Sequence, residues 1–286
     1  MNNTSYSTQT GVYFKKIARI SIREKAWIFL VFAVIIAAVV SLVLGDTMFE
    51  TREQTKYGFF TLASACIWIG IFNSIQSVCK EHDIIRSEYR QGTKLSAYIS
   101  AHVLWQAVLC AVQSIIIFVM SIIGGLFSGA DSGAIFGAYP EFFITIFLLT
   151  FGASVMGLMV SSFSGTPTTA MKIMPFVLIV QLVLCGVLFE LGDGVDVVAG
   201  ITLSKWGVSA FASSAGLNYL PDAFSEKNPE LIRMMEANGY RMPDTTDPLY
   251  DQDAGVLLTA WGLCLLITFV CAVISVISLK LKNRGS

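Results

Sequence analysis

Six long runs of apolar residues constrain this chain more than any other feature of its sequence. They cover residues 27–44, 59–78, 103–127, 142–163, 173–189 and 256–279. Only 14% of all residues are charged, against about 25% in soluble domains. About 20 apolar residues in a helix cross the roughly 30 Å hydrocarbon core of a membrane, and backbone groups in lipid must be paired within the helix. The sequence therefore predicts an all-α integral membrane protein with six transmembrane helices and excludes a soluble enzyme.

The basic residues gather on one predicted side of the membrane. That side holds 13 of the 19 Lys and Arg residues, namely Lys15, Lys16, Arg19, Arg23, Lys25, Lys80, Arg86, Arg90, Lys94, Lys172, Lys280, Lys282 and Arg284. Cytoplasmic loops carry such an excess of positive charge. Both termini are therefore predicted to be cytoplasmic, which agrees with an even number of spans. We expect a multi-pass protein of an inner or plasma membrane, of bacterial origin.

The first part of the chain divides into three segments. Residues 1–10 are polar and are predicted to be disordered. Residues 11–25 combine an apolar stripe with basic side chains, a pattern typical of an amphipathic helix lying at the membrane surface. The alternative is a stub whose basic residues only fix the topology. Residues 26–191 hold the first five spans, with a charged segment at 80–94 that is predicted to form a short helix broken at Gly92.

The remainder of the chain is predicted to be external until the last span. Within residues 192–253, the apolar part at 195–220 contains Lys205 and several glycines and serines, so it is predicted to dip back into the membrane. The polar part that follows is predicted to form a small acidic cap. Residues 254–286 hold the sixth span and a basic tail.

No motif of a catalytic or metal site occurs in the sequence, which lacks GxxxxGK[ST], HExxH and GxSxG patterns. The two histidines, His82 and His102, are interpreted as interfacial polar residues. No charged side chain lies at the centre of a span, and Glu141 and Glu190 lie at predicted outer ends where water can reach them. Since intramembrane charges usually mark ion pathways, this pattern argues against an ion-coupled carrier and against an intramembrane protease.

The polar residues inside the spans are mainly amides: Asn73, Gln106, Gln113 and Gln181. Such groups either bind a polar head group or join helices by hydrogen bonds, and the second role is favoured for Gln106 and Gln113. A transporter without a visible energy source requires a separate motor protein. The charged segment at 80–94 continues the second span and is the expected docking site.

A resemblance to a known family rests on three stretches. Residues 72–106 read FNSIQSVCKEHDIIRSEYRQGTKLSAYISAHVLWQ, and residues 157–191 and 203–212 add two weaker matches in the same order. Together they resemble the permease part of the G-type (White-type) ABC transporters and their bacterial ABC-2 relatives. The family pattern is met at Glu81, Glu88, Tyr89, Gly92 and Tyr98, whereas within the third stretch Ser204 stands where the family typically has Pro.

The resemblance implies a fold and roles for individual residues. It implies the ABC-2 or type V exporter fold, with an amphipathic elbow helix at 11–25, an intracellular coupling helix at 80–94 and re-entrant helices before the last span. Coupling to the ATPase is implied for Glu81, Arg86, Glu88, Tyr89 and Gly92, although ordinary solvated charge is the alternative for the two glutamates. The walls of a substrate cavity are implied at Ile69, Asn73, Ile179, Leu182 and Val183, and an apolar plug or gate at Gly186, Val187 and Leu188.

The function implied by the resemblance is that of a non-enzymatic permease subunit of an ATP-driven exporter. It would move an amphipathic, lipid-like, peptide or drug-like substrate out of the cytoplasm or inner leaflet by alternating access. The implied partners are ABC ATPase subunits on separate chains, which bind ATP and Mg²⁺, a second copy or a related permease, and membrane lipids, but no nucleic acid. This chain itself is expected to bind no cofactor. A non-transporting anchor or sensor whose acidic cap binds a partner, and an ion-coupled secondary carrier, remain alternatives.

Overall fold

The computed structural model describes residues 5–45, 48–130, 132–189, 191–223, 228, 230, 234 and 246–284, and within them all regular structure is helical. The α-helices of these ranges are α1 (Tyr6–Arg23), α2 (Trp27–Leu44), α3 (Arg52–Ser74), α4 (His82–Arg90), α5 (Leu95–Ile123), α6 (Ala138–Phe163), α7 (Pro167–Val183), α8 (Asp193–Ala199), α9 (Leu203–Ala215) and α10 (Ala254–Arg284). Short 3-10 helices lie at Cys79–Glu81, Leu217–Tyr219 and Pro248–Tyr250.

Five of these helical segments are long and apolar enough to cross a membrane: α2, α3 with its continuation into α4, α5, α6 and α10. The predicted fifth span at 173–189 differs from the structure. The helix there is α7, which has 17 residues and contains Pro175. At 1.5 Å per residue, α7 measures about 26 Å, somewhat less than the hydrocarbon core. The prediction of an all-α membrane protein is confirmed, with five full-length apolar helices among the described residues.

The helix α1 lies along α5 at one end of the bundle. We call this end, which also holds α4 and the last turn of α10, the basic end, and the opposite end, with α8 and α9, the distal end. The helix starts at Tyr6, so the predicted disorder of residues 1–10 does not hold for residues 6–10, whereas residues 1–4 lie outside the described residues. The early start is stabilised by contacts with the start of α5 and the residue before it. The Tyr6 hydroxyl lies 2.6 Å from Ser100 Oγ, and Gln9 Oε1 accepts a hydrogen bond from Lys94 N at 3.1 Å.

The central helices α3 and α6 cross through small residues. A Cβ atom added at Gly70 would lie 2.3 Å from the Thr150 carbonyl oxygen, and one added at Gly157 would lie 2.3 Å from Ser74 Oγ. Helices in a membrane gain no hydrophobic free energy from contact with each other, so close van der Waals packing between small residues takes its place. This crossing brings the backbones together and forms the centre of the bundle.

The segment after α7 is held tightly at the distal end. Almost every side chain of α9 is buried, and α9 packs against α10, α6 and α3. Lys205, which is 8% exposed, pairs with Asp196 of α8 at 2.5 Å. Ser209 donates a hydrogen bond to the Leu249 carbonyl oxygen at 2.7 Å, which fixes the chain where it returns to α10. Most of the predicted acidic cap lies outside the described residues.

Glu141 was predicted to lie where water can reach it, but the structure places it in the interior. Its side chain is fully buried at the start of α6, where its carboxylate accepts hydrogen bonds from the backbone N–H groups of Ala134, Ile135 and Phe136 at 2.9, 2.6 and 2.8 Å. The carboxylate therefore fixes the distal loop that enters α6. Glu190 lies outside the described residues.

Glu141→Ala is expected to lower the free energy of unfolding by about 3 kcal/mol or more, because it removes the acceptor of three backbone donors. Unfolding of the purified protein in mixed detergent and SDS micelles measures the change. Glu50→Ala is the control, because that glutamate is exposed at the same end. Equal unfolding midpoints for the Glu141 and Glu50 variants would contradict the structural role.

Candidate functional site

The charged segment that follows α3 forms a short amphipathic helix against the basic end. A 3-10 turn at Cys79–Glu81 leads into α4. Ile85 is 1% exposed and packs into a hydrophobic cluster at the basic end that also contains Val78 and Leu95. The helix ends as predicted just before Gly92, whose φ of +99° is a conformation that favours glycine. The segment is thus a helix with one buried face and a defined end.

Glu88 connects α4 to α1. The Tyr13 hydroxyl donates a hydrogen bond to Glu88 Oε2 at 2.7 Å, and Lys16 Nζ lies 3.4 Å from Glu88 Oε1. Burial, together with the nearby Glu88 carboxylate, raises the pKa of Tyr13 to about 12, so the phenol remains protonated and stays a donor near neutral pH. A hydrogen bond to a charged acceptor is stronger than one between neutral groups. Glu88 therefore fixes α4 to the helix at the N-terminus.

Glu81 makes the matching connection to α5. The hydroxyl of Tyr98, a fully buried residue, donates a hydrogen bond to Glu81 Oε2 at 3.1 Å, and the Tyr98 ring packs edge-on against Tyr13 with the centroids 5.6 Å apart. The two predicted coupling glutamates are half-buried and accept hydrogen bonds from tyrosines of α1 and α5, and their role in coupling stays a prediction. Tyr89 is half-buried against the same cluster. Arg86 is half-buried, and its Nε has no hydrogen-bond partner among the described residues.

The exposed side of α4 carries residues that the sequence prediction did not single out. Asp83, Ile84 and Ser87 are exposed, with Ile84 at 49%, and we call these three residues the coupling face. Their spacing places them on one side of a helix, opposite the buried Ile85. An isoleucine beside a carboxylate is unusual on such a polar helix. This pair was the feature of the sequence that could have indicated the coupling face. This face leaves α4 with a surface open to a partner.

The residues predicted to line a substrate cavity do not form one wall within this chain. Ile69 and Asn73 are buried inside the bundle at 4% and 7% exposure, whereas Ile179 and Val183 of α7 are exposed at 56% and 40%. Leu182 is half-buried. The structure therefore places the two α3 residues differently from the prediction, and the physical reason is the amide of Asn73, which bonds inward.

The exposed stripe of α3 lies one residue earlier, at Trp68 and Phe72, which are 41% and 37% exposed. One residue corresponds to about 100° around a helix, so the offset decides which side chains can face a partner. The role of α7 residues in a pathway stays a prediction.

The predicted plug residues follow the end of α7 in a turn. Gly186 has a φ of +79°, a conformation that strongly favours glycine. Val187 is buried at 7% exposure and Leu188 is exposed at 46%. The turn therefore presents Leu188 outward at the distal end, and its role as a gate stays a prediction.

The buried amides join the helices, as favoured for Gln106 and Gln113. Asn73 Nδ2 donates to Gln113 Oε1 at 2.6 Å, and Gln113 Nε2 also reaches the Phe29 carbonyl oxygen of α2 at 3.3 Å. Ser154 of α6 donates to Gln106 Oε1 at 2.9 Å. These bonds connect α2, α3, α5 and α6 in the middle of the bundle and fix the rotation of each helix about its axis.

Gln181 performs the same role between α7 and α9. Its Oε1 accepts from the backbone N–H of Ser204 at 3.2 Å, and its carbonyl oxygen accepts from the Ser204 hydroxyl. A movement of α7 is therefore passed directly to α9. Among the described residues, no group of side chains has the composition of a metal site, and all six cysteines are buried thiols.

The long apolar helices, with the amphipathic α1 and α4 at one end, define a multi-pass membrane protein. The family model of the ABC-2 type transporter matches residues 9–214, and the chain belongs to this family. The chain therefore carries the membrane-spanning domain of an ABC transporter of the ABC-2 type.

A relative with an assigned role supports the same class of protein. An ABC transporter ATP-binding/permease protein of Mycobacterium tuberculosis is 26% identical over 155 residues. The match covers 53% of this chain and 18% of that relative. The chain thus corresponds to a small part of the relative's length.

Proposed function

We propose that this chain is the permease subunit of an ABC exporter and that its ATPase docks on the coupling face. The observation that carries the proposal is the construction of α4. The helix follows α3 through a short turn and the 3-10 helix Cys79–Glu81. Glu88 of α4 bonds to α1 and Glu81 of the 3-10 helix bonds to α5, while Asp83, Ile84 and Ser87 remain exposed. A displacement of such a helix is passed on to α3, whereas a flexible loop would absorb much of the displacement.

The proposed topology has six spans, with α7 as the fifth and both termini in the cytoplasm of a bacterial cell. The exposed apolar side chains of α7 suit a membrane or a second permease, since Phe176 and Ile179 are 70% and 56% exposed. In this topology α1 is the elbow helix at the cytoplasmic surface. The helices α8 and α9 form the re-entrant segment in the outer leaflet, where the protein covers their backbone.

The proposed pathway lies between two permeases, either two copies of this chain or one copy with a related chain. The stripes that face away from the bundle are Trp68 and Phe72 on α3 and the exposed side of α7. Apolar walls of this kind suit an amphipathic, lipid-like, peptide or drug-like cargo. The turn at Gly186, Val187 and Leu188 would close the outer end of the pathway. ATP and Mg²⁺ would be bound by the ATPase, whose closure drives alternating access.

Ile84→Glu is expected to abolish the binding of the ATPase, because it places a charge in the centre of the proposed contact. Affinity purification of the full chain from its native membrane is expected to yield a protein with a GxxxxGK[ST] motif and ATP-hydrolysing activity. The Ile84→Glu chain is expected to retain less than about a tenth of this partner, since losing 1.4 kcal/mol of binding corresponds to a factor of ten.

The control is Tyr219→Glu, which places the same charge on a residue that is 78% exposed at the distal end. It is expected to retain the ATPase fully. Equal retention by the two variants would exclude the coupling face as the docking site. Export that continues without any ATPase would contradict the proposed function and favour an ion-coupled carrier.

A further inference from the structure

A cavity of about 270 Å³ opens at the basic end between α1, the start of α2, the end of α3 and α5. It is slightly smaller than typical small-molecule sites, which measure about 300–1,000 Å³. Part of its wall is apolar, with Phe29, Trp105 and Leu109 among the lining residues. It does not include any residue of the coupling face, and its wall includes Phe72 and Asn73 of α3 and Met171 of α7.

His102 is a buried polar group in the wall of this cavity. It is 3% exposed, and its ring packs edge-on against Tyr98 with the centroids 4.6 Å apart. Neither ring nitrogen has a hydrogen-bond partner among the described residues. The structure thus differs from the sequence interpretation of an interfacial histidine. Since buried polar groups are nearly always hydrogen-bonded, and an imidazole offers both a donor and an acceptor when neutral, a ligand in the cavity is expected to pair with it.

One cation and one anion lie side by side in the same wall, which also includes Glu81, whose carboxylate accepts the hydrogen bond from Tyr98. Lys80 Nζ is 3.8 Å from Glu24 Oε2, and both side chains are about half exposed to solvent. An ion pair of this exposure is weak and can exchange its partners for those of a ligand. Ser21, Ser77 and Gln76 supply further neutral polar groups nearby. The charges favour a ligand that carries an anion and a cation a few ångströms apart.

The membrane offers such a ligand. We propose that this cavity binds the head group of a phosphatidylethanolamine-type phospholipid from the leaflet at the basic end. The phosphate would pair with Lys80 and His102, and the primary ammonium would pair with Glu24. Phe72, which lines the cavity and is 37% exposed, provides an apolar edge along which the acyl chains leave towards the bilayer. The site requires only that the chain lies in a membrane, so it does not depend on the proposed exporter activity.

Native mass spectrometry of the delipidated full chain tests this site. The protein is titrated with phosphatidylethanolamine, phosphatidylcholine and phosphatidylglycerol of identical acyl chains. We expect phosphatidylethanolamine to bind at least about tenfold more tightly than either other lipid, because only its head group combines a phosphate with a hydrogen-bonding ammonium. Equal affinity for the three lipids, or tightest binding of phosphatidylglycerol, would overturn the proposal.

Two variants connect this preference to the cavity. His102→Leu and Lys80→Gln are each expected to weaken phosphatidylethanolamine binding about tenfold, because each removes one hydrogen-bond donor to the phosphate. The matched controls are His82→Leu and Lys94→Gln, whose side chains do not line this cavity. They are expected to bind as the parent does. Parental affinity in both cavity variants would place the lipid elsewhere and overturn the assignment, and Lys80→Gln keeps the test valid if His102→Leu disturbs the fold.

Discussion

Glu88→Ala is expected to leave the ATPase bound and active while the cargo exported per ATP falls at least about tenfold. The substitution removes the acceptor of the Tyr13 hydroxyl and the partner of Lys16, which together fix α4 to α1. The ion pair is about one-third exposed and contributes little by itself. The hydrogen bond from Tyr13 to a carboxylate contributes more, about 1.5–3 kcal/mol. Without it, α4 moves under the ATPase without carrying the permease along.

The measurement compares ATP hydrolysis and cargo uptake by the purified complex in liposomes. Glu50→Ala is the control, because this carboxylate is exposed at the distal end, away from the coupling face. It is expected to keep the parental ratio of cargo to ATP in whatever complex forms. Tyr13→Phe is expected to reproduce part of the Glu88→Ala defect, and the double variant is expected to add little, since both changes remove one interaction. A parental ratio in Glu88→Ala would rule out this link as the transmitting contact.

The sequence predicted the helices of the bundle well because lipid leaves the backbone few choices. Long apolar runs must be helical in a membrane, and this argument alone located α2, α3, α5, α6 and α10. The amphipathic pattern of α1 and the charged run of α4 were equally visible. In each case the signal was local, carried by residues within a few turns of one another.

The rotation of each helix about its own axis was not predictable from such local patterns. Every side of α3 is largely apolar, so its sequence does not indicate which residues face the interior. The rotation is set by distant partners, such as Gln113, which pairs with Asn73 across the bundle. Ile69 and Asn73 were therefore placed one residue away from the exposed stripe. The prediction for Glu141 was wrong for a related reason, because the backbone N–H groups that donate to its carboxylate lie in a loop whose path no local pattern reveals.

The length of α7 depends on both local and distant effects. The turn at Gly186 ends the segment early through its positive φ, which glycine permits but does not require. The contact between Gln181 and Ser204 fixes the end of α7 against α9. Apolar residues continue past this turn, so a search for apolar runs extends the span beyond the helix.

Gly157→Val is expected to prevent the bundle from forming. A Cβ atom at this position would lie 2.3 Å from Ser74 Oγ and 2.9 Å from the Ile71 carbonyl oxygen of α3. The hydroxyl of Ser74 already donates to the Ser154 carbonyl oxygen, so it cannot rotate away without losing that bond. The backbone of Ile71 cannot move without separating α3 from α6. Overpacking in a core costs about 1–3 kcal/mol where side chains adjust, and here the backbone must shift as well.

The measurement is the yield of monodisperse protein after solubilisation of the membrane, followed by gel filtration. Gly262→Val is a matched control within α10, because a Cβ atom added there meets no other atom within 4 Å. It adds the same β-branched side chain to a membrane helix and is expected to give the parental yield, whereas Gly157→Val is expected to give less than about a tenth of it. Similar losses in both variants would mean that valine itself is the cause. Parental yield for Gly157→Val would show that α3 and α6 do not approach each other as closely as their small residues allow, and the small-residue crossing would then not be what holds the centre of the bundle together.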